Sequence, residues 1–321
     1  MPFFEIAIFI LSCLAIIVSS RWVIDSLSAL ARSLGWKEFV VAFFTVSLGA
    51  VLPELTIGVR AAIEGIPELS LGNIIGQNII LLTFSVAVCT LVVKGIIVQS
   101  RTVRSGTAFA AFSVMLPFIL LHDGRLSRMN GLFLIGVFFL YVYWMFGKED
   151  RFVKEYEEEP KNIKKKSDYV KQVLKLIGAF LIVIFSAEGI IYSAKEFAFL
   201  LDVPEALVGI LLVGAGVALP EIYFSLRLAA KGRSWMILGG ITGAVAMSST
   251  LVLGVVTIIN PITIDNFAPY SISRAFLIFA GIILWLFTRT SNRLTRKEAF
   301  VLFFIYFGFL FSELLFGQLF L

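Results

Sequence analysis

Two glutamates stand at matching positions in the chain, each inside a long apolar stretch. Residues 49–54 read GAVLPE and residues 216–221 read GVALPE, so that Glu54 and Glu221 each follow a proline. A carboxylate in the middle of a membrane helix is costly, and such groups usually face a polar interior or an ion pathway. The pair therefore predicts a cation site shared by two carboxylates. The alternative is a protonated glutamate that only forms hydrogen bonds between helices.

A second glycine motif follows each glutamate at the same distance. The segment LGNIIGQN contains Gly72 and Gly76, and the segment LGGITGAV contains Gly239 and Gly243. Both motifs, and also Arg60 and Arg227, repeat at a constant offset of 167 residues. Because the register is kept across all of them, we interpret the chain as an internal repeat.

The composition indicates what must position these residues. Of 321 residues, 59% are hydrophobic and 15% are charged, whereas roughly a quarter of a soluble domain is charged. Apolar runs long enough to cross a hydrocarbon core of ~30 Å recur along the chain. The sequence predicts an all-α membrane protein with about ten transmembrane helices. The predicted spans are 3–20, 39–63, 70–92, 107–121, 129–146, 171–194, 205–229, 236–259, 270–288 and 298–319.

Ten helices divide into two halves of five. Residues 1–147 form the first repeat, 148–170 a charged linker, and 171–321 the second repeat. An odd number of crossings in each half means that the second repeat enters the membrane from the opposite side, as in inverted-repeat transporters. Pro53 and Pro220 are expected to interrupt their helices and free backbone carbonyls, while Gly49 and Gly216 permit close helix approach.

The distribution of basic residues predicts the orientation. Loops that follow odd-numbered helices, together with the linker, carry 22 of the 27 Lys and Arg residues. By the positive-inside rule this places the linker in the cytoplasm and both termini outside a cell membrane. The five exceptions are Arg60, Arg125, Arg128, Lys195 and Arg274.

These motifs resemble the two α-repeats of the calcium:cation antiporter superfamily, which includes the sodium/calcium exchangers. Members carry G-T-S-x-P-E in each repeat, followed by G-N-x-x-G-S. The resemblance implies the architecture of five plus five helices, and it implies that Glu54 and Glu221 are the central calcium ligands. The motif positions kept here are Gly49, Pro53, Glu54, Gly72, Asn73 and Gly76, then Gly216, Pro220, Glu221, Gly239 and Gly243.

The chain departs from the family pattern where hydroxyl ligands are expected. Ala50-Val51 and Val217-Ala218 replace Thr-Ser, and Gln77 and Ala244 replace the serines of the second motif. Hard cations prefer oxygen-rich sites, so the sodium sites look depleted. Two carboxylates in a poorly hydrated site repel each other and lose solvation, which favours their protonated forms. Such a pair can exchange two protons for one divalent cation, so the counter-ion is a proton rather than sodium in our preferred interpretation.

Several oxygen donors remain near the glutamates. The family pattern places Asn73, Gln77 and Ser248 near the cavity, and we predict these three as additional ligands. Polar residues in such helices often only bond their own preceding turn, so helix packing explains each of them about equally well. The donors without this support are Thr45, Ser47, Asn78, Thr83, Thr242, Ser249 and Thr250.

Arg60 and Arg227 each follow a glutamate by six residues, which is not a same-face spacing on a helix. They either extend to the membrane interface or provide a gate charge on each side of the cavity.

The leading functional prediction is a secondary antiporter that exchanges calcium or another cation against protons or sodium by alternating access. The alternatives are an exchanger of another cation and a non-transporting or regulatory membrane protein on the same scaffold. An enzyme is not expected, since the chain has one histidine and no nucleophile-elbow motif. The lipid bilayer and small cations are the expected partners, without a cofactor or nucleic acid, and the oligomeric state is left open.

Overall fold

The computed structural model describes residues 2–33, 38–98, 101–146, 166–230, 234–264, 266–290 and 292–316. Within these residues ten long helical segments occur, which confirms the predicted all-α fold. In chain order they are α1 (Pro2–Ser33), α2 (Glu38–Ile63), α3 (Pro67–Ile80, Leu81–Ser85 and Val86–Val92), α4 (Arg101–Leu120), α5 (Arg128–Phe146), α6 (Lys166–Leu201), α7 (Glu205–Val208, Gly209–Val213 and Gly214–Ala230), α8 (Ser234–Met247, Ser248–Val252 and Leu253–Ile259), α9 (Ser271–Thr290) and α10 (Arg296–Phe316).

These helices are suited to a bilayer. Eight helices in the described part of the chain are long and apolar enough to span one, and α5 adds a shorter apolar helix. Large apolar side chains such as Phe3, Phe185 and Phe304 are exposed, which is favourable against lipid and costly in water. Helices suit this environment because they satisfy their backbone hydrogen bonds internally.

Two helices are more than ten residues longer than predicted. Helix α1 continues past Arg21 to Ser33, and α6 runs from Lys166 to Leu201 rather than over 171–194. Their extended polar ends lie together, since Lys175 Nζ is 3.9 Å from a carboxylate oxygen of Asp25. Hydrophobicity marks only the part of a helix inside the hydrocarbon, so the polar extensions were missed. Of the predicted linker 148–170, residues 148–165 lie outside the described part of the chain, and residues 166–170 belong to α6.

The two halves have opposite orientations. The side-chain amide of Asn260, just after α8, donates to the backbone oxygen of Ala62 at 3.2 Å, close to where α3 begins. Helix α8 therefore ends on the face where its counterpart α3 starts, so the two helices are antiparallel. This agrees with the predicted inverted repeats.

Four short strands among the described residues, which the sequence did not predict, join the halves. Strand β1 (Ile96–Ile97) pairs with β4 (Arg293–Leu294), and β2 (Arg125–Leu126) pairs with β3 (Ile262–Thr263), both antiparallel. Each ribbon takes one strand from each half. We call the two sides of the molecule the β1–β4 face and the β2–β3 face. Two-residue strands are too short for period-two patterning to reveal them.

The helices form a buried centre and an outer pair. Helices α3 and α8 are the most extensively buried of the candidate spans. Helices α1 and α6 pack mainly against each other, and Ser193 Oγ donates to the backbone oxygen of Glu5 at 3.1 Å. The centre is thus where side chains are most completely removed from lipid and water.

Helix irregularities do not fall at the prolines. Pro53 and Pro220 both lie inside continuous α-helix, so the prediction that these motifs interrupt their helices is wrong. A proline removes one hydrogen bond, but in lipid the remaining backbone groups still need helical partners. In the described part of the chain three π-helical turns occur instead, at Leu81–Ser85, Gly209–Val213 and Ser248–Val252. Two of these turns are related by the repeat offset, and π-turns are frequent at functional sites.

Candidate cation-binding site

Glycines bring α3 and α7 into backbone contact. A β-carbon on Gly72 would collide with the carbonyl oxygen of Ala206, and one on Gly76 with that of Ile210. In return, a β-carbon on Gly209 would lie 2.5 Å from the Leu69 carbonyl oxygen. Only a residue without a side chain permits this separation, and it places the Gly72 and Gly76 positions of α3 directly against α7.

The predicted glutamates are both buried and lie near each other. Glu54 on α2 is fully buried and Glu221 on α7 is 6% exposed, and the two carboxyl groups are close enough to interact electrostatically. Among the described residues, neither oxygen of Glu54 has a hydrogen-bond partner, and Oε2 of Glu221 has none. An ionised carboxyl buried without a partner is strongly destabilising, so this pair requires a proton or a cation.

Two amides on α3 complete the unpartnered group. Asn73 and Gln77 are four residues apart, and therefore on the same helix face, and both are fully buried. Their amide nitrogens and oxygens make no hydrogen bonds to described residues. Gln77 lies beside Glu54, although the two side chains do not reach hydrogen-bonding geometry. Glu54, Glu221, Asn73 and Gln77 together are called the polar centre below.

Ser248 has a different environment. It is fully buried, and its hydroxyl donates to the side-chain oxygen of Asn78 at 2.9 Å. The Asn78 amide in turn donates to Ser249 Oγ at 2.9 Å. Asn78 is one of the oxygen donors without support from the family pattern, and nothing in its spacing shows which side chain it faces in the other repeat.

Apolar side chains occupy the positions where exchangers carry hydroxyl groups. Val51, Val217 and Ala218 are buried on α2 and α7, as is Ala244 on α8. Within the described residues no group of three or more His, Cys, Asp or Glu side chains is arranged to hold a metal ion. The site is therefore a two-carboxylate centre supplemented by amides.

The remaining motif glycines have unequal surroundings. Gly216 faces Cys13 of α1, since a β-carbon there would lie 2.6 Å from its sulfur. Gly49 lies in α2 and Gly243 in α8. Gly239 has no described atom within 4 Å of where a β-carbon would be. Among the motif glycines, the close backbone packing of α3 against α7 thus occurs at Gly72 and Gly76 of the first repeat.

The two motif arginines are not equivalent. Arg60 binds Glu188 of α6, with its Nη2 2.7 Å from Oε2 of that carboxylate. It also bonds Glu64 at 3.3 Å, and Lys195 of α6 pairs with Glu64. Arg227 is exposed and forms no ion pair with a described residue. Neither arginine bonds to a glutamate of the polar centre.

Comparison with known proteins bears on this geometry. The family model described as sodium/calcium exchanger protein matches residues 4–147 and 171–315, one match in each half. The chain belongs to the sodium/calcium exchanger family. It is therefore a membrane antiporter of the calcium/cation exchanger type.

Relatives in the exchanger family align over nearly the whole chain. The putative antiporter CaxA of Alkalimonas amylolytica is 27% identical over 314 residues, covering 94% of this chain and 96% of that protein. The sodium/calcium exchanger MaX1 of Methanosarcina acetivorans is 24% identical, with coverage of 94% and 96%.

Solved exchanger structures share the fold. The H+/Ca2+ exchanger CAX superposes with a TM-score of 0.79 at 17% identity, covering 97% of this chain and 82% of that one. The sodium-calcium exchanger NCX_Mj superposes with a TM-score of 0.66 at 23% identity, covering 97% and 99%. At these identities the likeness concerns the architecture.

Proposed function

We propose that the chain exchanges calcium or a related cation across the membrane by alternating access, with Glu54 and Glu221 as the central ligands. The observation that carries this proposal is the polar centre. It contains two carboxyls and two amides that are buried and that, apart from Oε1 of Glu221, have no hydrogen-bond partner among the described residues. Buried polar groups are normally hydrogen-bonded, and a dehydrated cation bound by carboxylate and amide oxygens would satisfy them.

The proposed counter-ion is the proton. Oxygen donors at five family positions are replaced by Ala50, Val51, Val217, Ala218 and Ala244, which leaves few ligands for separate sodium ions. The two carboxylates are protonated when no cation neutralises them, because burial and their mutual repulsion both oppose two negative charges. Exchange of two protons for one divalent cation then keeps the net charge of the centre nearly constant.

The proposed gate is Arg60 rather than both arginines. Its ion pair with Glu188 links α2, which carries Glu54, to α6 on the β2–β3 face. Any movement of α6 relative to α2 has to change this contact. Exposed Arg227 has no such link among the described residues, so the two sides of the exchanger would be controlled differently.

The central test is replacement of each glutamate by glutamine. Glu54→Gln and Glu221→Gln remove the charge and keep the size, so we expect folded protein without calcium flux into proteoliposomes. The matched control is Glu313→Gln on α10, since Glu313 is also buried at 3% exposure but lies outside the polar centre. Glu313→Gln should transport at the wild-type rate. Normal flux in both central variants would contradict the proposal.

A further inference from the structure

Asn78 differs from the other two buried amides of α3. Asn73 and Gln77 have no partners among the described residues, whereas both ends of the Asn78 carboxamide are engaged. Its Oδ1 accepts from Ser248 Oγ and its Nδ2 donates to Ser249 Oγ, both at 2.9 Å. The two serines belong to the second repeat, so Asn78 connects α3 to α8 through the buried centre of the molecule.

The direction of these hydrogen bonds determines what Ser248 can do. A serine hydroxyl has one hydrogen and two lone pairs, and a cation binds only to the lone pairs. The neighbours of Ser248 Oγ are the acceptors Asn78 Oδ1 and the Val245 carbonyl oxygen, the latter at 3.0 Å. The hydroxyl hydrogen is therefore held by the protein, and the oxygen remains available as an acceptor.

The local helix geometry gives Asn78 a second effect. Ser248 and Ser249 are the first two residues of the π-turn Ser248–Val252, which also contacts α2. Single π-turns inside α-helices are frequent at functional sites. Asn78 contacts this turn through both serines, and it directly follows Gln77 of the polar centre along α3.

We propose that Asn78 is a positioning residue that holds the Ser248 hydroxyl as an oxygen ligand for the transported cation. This inference rests on the proposed function, since it requires a cation at the polar centre. Asn78 acts through Ser248 and does not itself bind the ion. Partners of this kind orient metal ligands in many proteins, and their loss typically weakens metal affinity by about 10- to 100-fold.

The experiment uses the full chain in proteoliposomes and measures the apparent KM and maximal rate of calcium uptake, together with thermal stability in detergent. For Asn78→Leu and for Ser248→Ala, we expect the apparent KM to rise about tenfold. The double variant should be no worse than either single variant, since both changes remove the same ligand. Ser249→Ala is the matched control. It removes the other hydrogen bond of Asn78, and it should lower thermal stability while leaving KM within about twofold of wild type.

Asn78→Asp keeps nearly the same shape and tests the inference even if the leucine variant does not fold. It retains an acceptor facing Ser248 and loses the donor to Ser249, so the apparent KM should not rise. A tenfold rise of the apparent KM in Asn78→Asp would overturn the positioning role. So would a double variant of Asn78→Leu and Ser248→Ala whose rise in KM is the product of the two single rises. An unchanged KM in folded Asn78→Leu would overturn it as well. Glu54→Gln is measured in the same assay. If it is inactive while Asn78→Leu has the wild-type KM, only the positioning role fails, whereas normal flux in Glu54→Gln removes the proposed function itself.

Discussion

At the scale of single residues, the centre is defined by acids without a counter-charge. Glu54 and Glu221 form no ion pair with a described residue, whereas the Arg60, Glu64, Glu188 and Lys195 side chains nearer the β2–β3 face pair among themselves. The positive charge that neutralises the centre must therefore come from outside the described protein. Protons and cations can each provide it, and they compete for the same oxygens.

This competition gives a pH dependence with a definite sign. A cation binds the ionised carboxylates, so protonation at lower pH should raise the apparent KM for calcium, and higher pH should lower it. Calcium titration of the purified protein between about pH 6 and pH 8 measures this effect, because burial and a neighbouring carboxylate both favour the protonated form of an acid. In proteoliposomes an acidic lumen should then drive calcium uptake. Uptake that follows a sodium gradient and ignores the pH gradient would contradict proton coupling.

At the scale of elements, the site depends on how closely helices approach. Helices α3 and α7 run in the same direction, and Gly72 and Gly76 place the backbone of α3 against carbonyl oxygens of α7. Glu221 and the amides of α3 therefore lie on two helices whose backbones touch. The sequence signal for this contact was the spacing of the glycines, while the helix they would contact was visible only in the folded chain.

Gly76→Ala should separate these two helices. The added methyl group overlaps the Ile210 carbonyl oxygen, and overpacking of this kind typically costs about 1–3 kcal/mol. We expect a lower melting temperature in detergent and strongly reduced calcium flux. Gly178→Ala on α6 is the control, because no described atom lies within 4 Å of the new methyl position. Equal stability of the two variants would show that the close approach is not required.

The link between α2 and α6 allows a test of the proposed gate. Glu188→Gln removes the ion pair with Arg60, which is partly exposed and should contribute little to stability. If the pair controls access, the maximal transport rate should change severalfold while the apparent KM for calcium stays constant. Asp25→Asn is the control, because it removes the long Asp25–Lys175 contact of 3.9 Å between the polar ends of α1 and α6. Identical kinetics in wild type and Glu188→Gln would argue against gating by Arg60.

At the scale of the whole molecule, the two halves are joined on both faces. The β1–β4 ribbon and the β2–β3 ribbon each pair strands from different repeats. Arg293 reinforces the first ribbon by donating to the Lys94 carbonyl oxygen at 2.6 Å, and Arg104 by donating to Asn292 Oδ1 at 2.6 Å. No strand of either ribbon directly precedes or follows the outer helices α1 and α6. The core of the exchanger is therefore tied across its inverted halves at both ends.

The orientation of this assembly in the membrane is a prediction from charge alone. Because basic loops are retained in the cytoplasm, the end of the chain after Leu321 should lie outside. Alkaline phosphatase fused there should be active, and a fluorescent protein fused there should be dark. A fluorescent protein inserted in the charged linker should fluoresce and serves as the matched control. The reverse pattern would show that the assigned orientation is inverted.

The sequence by itself determined the number of helices, the inverted repeat and the presence of two acids inside apolar helices. Bilayer thickness fixes the length of apolar runs, and burial of Glu54 and Glu221 in such runs is too costly to be incidental. Only the tertiary structure decided which side chains meet. Helical periodicity specifies a face but not its neighbour, so the sequence could not show that Asn78 engages Ser248 and Ser249 or that Arg60 pairs with Glu188. The sequence also predicted helix irregularities at the prolines, whereas the π-turns of the described residues lie elsewhere. The positions of the π-turns depend on packing between helices rather than on local residue preference.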